Sequence, residues 1–181
     1  MFKHHLYGAV IVVIALVVST IVYAGNNEYH WGFKRSNDGT PAEAGEKLDT
    51  MLDKYGAIYK GNSEQKIAYL TFDNGYENGF TESILTTLNE ADVPATFFLT
   101  GHYLTSATDL VQRMIKDGHT IGNHSYGHPN MARLSEAEMV NEWQKFDRKL
   151  QELTNIERTY YARPPEGIFN EQVLSVGNDN G

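Results

Sequence analysis

The chain has 181 residues, 41% hydrophobic and 21% charged, with a formal net charge of −8 and no cysteine. That length and balance suit one globular domain with a real core. The missing cysteine excludes disulfides, a thiolate zinc site and a thiol nucleophile, and an acidic chain without a basic run argues against a nucleic-acid partner.

In chain order, residues 1–25, MFKHHLYGAVIVVIALVVSTIVYAG, carry one lysine and then no Asp, Glu, Lys or Arg until Glu28. The run ends in Val22-Tyr23-Ala24, which reads as an export signal over 1–24 cut after Ala24. Its apolar stretch is nearly long enough to span a bilayer, so an uncleaved anchor touching the membrane is the alternative. Either reading puts the rest of the chain outside the cytoplasm, in the cell wall, at the outer membrane face or in the medium.

Residues 25–65 read as a lead-in with one helix. After an irregular stretch rich in Asn and Gly, residues 42–57 place Leu48, Met51, Leu52 and Tyr55 on one helical stripe. Gly61-Asn62-Ser63 breaks the chain.

From residue 66 a rhythm begins. IAYLTFD (67–73) predicts a strand, and 81–92 a helix capped by Thr81 with Ile84, Leu85 and Leu88 on one face. PATFFLT (94–100) predicts a second strand, and 108–118 a helix stopped by Gly118. HTIGNH (119–124) predicts a third strand. Residues 135–153 open with a Ser135/Glu138 capping box and turn Met139, Phe146, Leu150 and Leu153 inward. TYYAR (159–163) predicts a fourth strand, and a helix starts at about 170. Four alternations imply an α/β fold of parallel βα units, open or closed into a barrel. In such folds chemistry sits at the carboxyl ends of strands. Asp73-Asn74, Gly101-His102, His124 and Arg163 all fall there.

His124 and His128 could hold a metal ion through neutral imidazoles, or could be two exposed histidines of a polar loop. Asp73-Asn74-Gly75 could be a turn, or could supply a general base (Asp73) and an amide metal ligand (Asn74). Arg163 could pair with any surface carboxylate, or could brace Asp73. Arg163-Pro164-Pro165-Glu166-Gly167 is a stiff loop, suited either to a connection or to aiming backbone N–H groups at an oxyanion. Tyr76, Tyr103 and Tyr126 lie in loops beside these residues and could stack on a sugar. His30, His102 and His119 read as structural or exposed.

Together these segments resemble the polysaccharide deacetylase family, metal-dependent de-N-acetylases with a NodB-type (β/α) barrel. TFDNG (71–75), HSYGH (124–128) and RPPEG (163–167) match its three motifs in order. The resemblance implies Asp73 as base activating a metal-bound water, with Asn74, His124 and His128 on a divalent metal such as Zn²⁺. It also implies Arg163 bracing the base, with Pro165 and Gly167 in the loop that meets the substrate. TFDNGYENG, HWGFKR (30–35) and YGAIYKG (55–61) are similar to the branch that deacetylates muramic acid of peptidoglycan for the δ-lactam of spore cortex. Most members have Asp where this chain has Asn74, which removes a negative charge from the metal site. The family barrel also continues for several more strands, carrying an aromatic wall and a general-acid histidine. The expectation is therefore a domain over 66–181 truncated after about four strands, with slow turnover. Two other functions compete. A non-catalytic cell-wall binding protein or inactive deacetylase fits the missing acid, whereas a glycoside hydrolase needs two placed acids and finds only Glu77 or Glu166 beside Asp73.

Overall fold

The computed structural model describes residues 27–35 and 39–180; the export signal expected over 1–24 lies outside them. Among the described residues no helix is long and apolar enough to cross a membrane.

The centre is a parallel sheet of β2 (Thr71–Asn74), β3 (Thr96–Leu99) and β4 (Thr120–Asn123), in that order, after a short β1 (Tyr29–His30). The predicted fourth strand contracts to one parallel bridge, Asn123 to Ala162. It is held by Asn123 N–H to the Tyr161 carbonyl at 2.8 Å and Arg163 N–H to the Asn123 carbonyl at 2.9 Å. Strand alternation puts Phe72, Phe97 and Ile121 on one face and Asp73, Phe98 and Gly122 on the other.

The first face is covered by α2 (Thr81–Glu90), α3 (Gly101–Ser106), α4 (Thr108–Lys116) and α5 (Glu136–Leu153). Phe72 and Phe97 stack at 4.9 Å, and Leu85, Leu104, Val111, Met114, Phe146 and Leu150 close over them. Full burial of such side chains contributes about 1.5–3 kcal/mol each. A second cluster joins α1 (Glu46–Lys54), the other half of α5 through Met139 and Trp143, β5 (Ile168–Phe169) and α6 (Glu171–Asn180). Helix α5 is the common wall of both. Its capping box is present as predicted, Ser135 and Glu138 reciprocally bonded.

Local differences from the sequence reading have local causes. Helix α1 starts at Glu46 because Gly45 sits at φ 96°, outside helical space. Thr81 is the first residue inside α2 and not its cap; the carboxylate of Glu77 accepts the Gly79 and Thr81 N–H groups. Helix α3 was not predicted, and Thr100 caps it by accepting the Tyr103 N–H at 3.2 Å. Strand β1 pairs antiparallel with β5, Tyr29 opposite Phe169 and His30 opposite Ile168.

Candidate active site

Asp73 points away from the helix layer at the carboxyl end of β2. Arg163 reaches it from beyond the Ala162 bridge, donating Nη1–H to Asp73 Oδ1 at 2.7 Å and Nη2–H to Thr71 Oγ1 at 3.0 Å. The guanidinium lies 4.1 Å above the ring of Phe98, the β3 neighbour of Asp73. Two hydrogen bonds and a stacking face fix the guanidinium plane. The pair stays open to solvent, with side chains 43% and 35% exposed, so a substrate can reach it.

His124 follows β4 and is buried. Its Nδ1 lies 2.8 Å from the Arg163 carbonyl, which can only accept, so Nδ1 carries the proton and Nε2 keeps its lone pair. Burial pushes its pKa below the usual imidazole value, partly opposed by that hydrogen bond and by Asp73. His128 is exposed, with its ring 5.0 Å from that of His124 at 70°. A turn presents the two rings. Ser125 and His128 both take left-handed φ, 63° and 57°. Ser125 Oγ accepts the His128 N–H at 2.9 Å, and the Asn123 amide oxygen accepts the Ser125 N–H at 2.9 Å. Asn123 is anchored in turn by its Nδ2–H to the Trp143 carbonyl.

The structure thus gathers Asp73, Arg163, His124 and His128. Asn74 alternates to the face of Leu99, with its side chain beside the Tyr103 hydroxyl. Its Oδ1 is buried and has no hydrogen-bond partner. Tyr76, 69% exposed, stands on the loop after Asp73. Tyr126 lies instead against Gly101, with the Lys145 ammonium 4.0 Å from its ring centre. Pro165 is buried, and the Gly167 N–H turns back to the Pro164 carbonyl at 3.3 Å. Tyr103 is buried, its hydroxyl bonded to Glu77 and Thr81. Thr71, Phe98, Asn123 and Ser125 were not singled out from sequence. Only Thr71 left a signal, two residues before Asp73 and therefore on its face.

Among the described residues no group of three or more His, Cys, Asp and Glu converges on one point. The donors that fit a borderline divalent ion are the two imidazoles. The Asn74 oxygen is orphaned, but it is buried on the helix side of β2, on the opposite face from Asp73. Of the two candidate second acids, Glu77 is not free. Burial pushes the Glu77 carboxyl up, but hydrogen bonds from Thr81, Tyr103 and Gly79 outweigh it and hold the carboxyl below the ordinary range. A glycosidase acid needs the opposite shift.

The polysaccharide deacetylase family model matches residues 60–181. The chain belongs to that family. It is 42% identical over 149 residues to the peptidoglycan-N-acetylmuramic acid deacetylase PdaA of Bacillus subtilis, a match covering 82% of this chain and 57% of that protein. An uncharacterized 30.6 kDa protein of Geobacillus stearothermophilus is 46% identical over 176 residues, covering 97% of this chain and 66% of its own length. The solved structure of B. subtilis PdaA, a family 4 carbohydrate esterase, superposes with a TM-score of 0.82 at 39% identity, covering 86% of this chain and 67% of that one. This chain therefore spans about two thirds or less of the length of these relatives.

Proposed function

We propose that the chain hydrolyses N-acetyl groups of cell-wall glycan, with N-acetylmuramic acid of peptidoglycan as substrate. The observation that carries this reading is the Asp73–Arg163 pair at 2.7 Å, whose own backbone carbonyl sets the tautomer of His124. One arginine thereby orients both the base and the imidazole. Asp73 takes a proton from the attacking water, its oxygen bonds to the acetyl carbon, and the C–N bond breaks to release acetate and a free amine. His124 and His128 would hold a divalent ion, in our reading zinc, joined by Asn74 once its amide turns from the helix side of β2 toward them; the ion when bound acidifies water and polarises the carbonyl. The loop of Pro165 and Gly167 would border the reacting carbonyl, and Tyr76 would contact the sugar, with Tyr126, packed on Gly101, as a further candidate. Asp73 is also the group placed to return the proton to the leaving amine.

The likeness to PdaA supports muramic acid as the sugar. Spore cortex as the setting, where the freed amine would close to a δ-lactam, rests on the resemblance of TFDNGYENG, HWGFKR and YGAIYKG alone. An export signal over 1–24 would deliver the chain to that substrate. The test is acetate release from a muropeptide. Asp73→Asn should lower the rate about 10²–10⁴-fold, the usual contribution of a positioned base, and a chelator should suppress it. Glycan binding without acetate release, or a rate indifferent to Asp73→Asn, would favour the non-catalytic cell-wall binder.

A further inference from the structure

Three of the four non-glycine residues with left-handed φ among those described lie in the two loops that complete the site: Ser125 and His128 in one, Glu166 (φ 59°) in the other. Such backbone persists only where surrounding contacts over-determine it. Both loops are gripped just after the strained residue by the same segment, residues 28–31, which lies outside the family match. The Glu28 carboxylate takes the Arg133 guanidinium at 2.7 and 3.4 Å and the Asn130 amide at 3.5 Å, behind His128. The Trp31 N–H donates to the Gly167 carbonyl at 2.7 Å, directly behind Glu166. Between these anchors Tyr29 and His30 pair with Phe169 and Ile168, and the rings of Tyr29 and Phe169 meet at 5.7 Å. Arg133 also feels the carboxylate of Glu166, so it joins the two loops electrostatically. Gly167, at φ 65°, has no room for a Cβ, which would lie 2.9 Å from the Cβ of Trp31.

We infer that residues 28–31 form a strap that positions the site for the reaction, with Glu28 and Trp31 as positioning residues that hold the His128 and Pro165–Gly167 loops in register. A lone exposed ion pair would do little. Here the carboxylate is shared by two residues of one loop, and the strand beside it is bonded to the other loop. Loosening the strap frees His128 to leave its left-handed geometry, and frees the loop that follows Arg163 and hence the guanidinium aimed at Asp73.

The inference rests on the deacetylase reading for its kinetic consequence but not for its structural one, and the experiment separates them. Hydrogen exchange of the full chain is compared for the parent, Glu28→Ala, Arg133→Glu and the charge swap Glu28→Arg with Arg133→Glu. Faster exchange is expected in both 125–134 and 163–169 for each single variant, with protection restored in the swap. Acetate release should fall about tenfold, carried by kcat with KM little changed, as when a group supporting a first ligand is lost. Zinc affinity should weaken in the same variants and recover in the swap. Exchange unchanged in either loop, or singles that lower only the melting temperature, would overturn the strap. Faster exchange in both loops of the single variants, relative to a parent that itself releases no acetate, would support the strap and count against the deacetylase reading instead.

Discussion

At the scale of single residues, His119 contrasts with His124. Its Nδ1 accepts the Ala95 N–H at 3.2 Å, its ring lies 5.3 Å from Phe97, and its Nε2 is buried without a partner. The Nδ1 lone pair that accepts from Ala95 exists only in the neutral ring, and burial lowers its pKa, despite Asp117. The unfolded state, titrating near 6.5, then binds more protons than the folded one at acid pH. Stability is untouched above that value and is lost as pH falls through it toward the folded pKa. The urea midpoint should therefore drop as pH falls below about 6.5, and less steeply in His119→Gln than in the parent. Parallel slopes would show that this ring does not resist protonation.

At the scale of elements, α3 is the piece that sequence patterning missed and packing requires. Its first residue, Gly101, donates its N–H to the Tyr126 carbonyl at 3.0 Å, and a Cβ there would lie 2.4 Å from the Tyr126 ring. The helix thereby presses on the loop between the two histidines of the site. Gly101→Ala should cost about 1–3 kcal/mol by overpacking, read as a lowered urea midpoint. The loss should shrink in a Tyr126→Leu background, where the obstructing ring is absent. Additive effects would mean that α3 and the histidine loop are not in contact as described.

At the scale of the molecule, the helix layer buries one face of the sheet, while both ends of the strand order carry exposed apolar residues. Ile67, Tyr69 and Leu70 lead into β2, and Tyr160 and Tyr161 precede the Ala162 bridge. Among the described residues β2 has no strand on its outer side, and such an edge beside apolar residues is a template for association, against which the net charge of −8 acts only at long range and is screened by salt. Sedimentation at moderate salt should show the mean mass rising with concentration. Replacing Tyr69 and Tyr161 with Lys should abolish the rise, and a parent that stays monomeric would refute this account of its edges.

The order of βα units and the placement of the candidate residues at strand ends were legible in the sequence, because periodicity and capping are encoded by neighbours along the chain. The α5 capping box and the inward stripe of Met139, Phe146 and Leu150 are of this kind. Asp73, His124, His128 and Arg163, singled out by residue type at strand ends, do lie together in the structure, and the roles given to them are those proposed above. Tertiary structure alone decided that Arg163 binds Asp73 across the Ala162 bridge with Phe98 beneath it, and that its carbonyl sets the tautomer of His124. It also turned Tyr126 onto Gly101, reduced the fourth strand to a bridge, and laid residues 28–31 over both loops of the site. Each of these depends on register and packing between residues far apart in the chain. Local pattern carries no record of which distant surface will meet it.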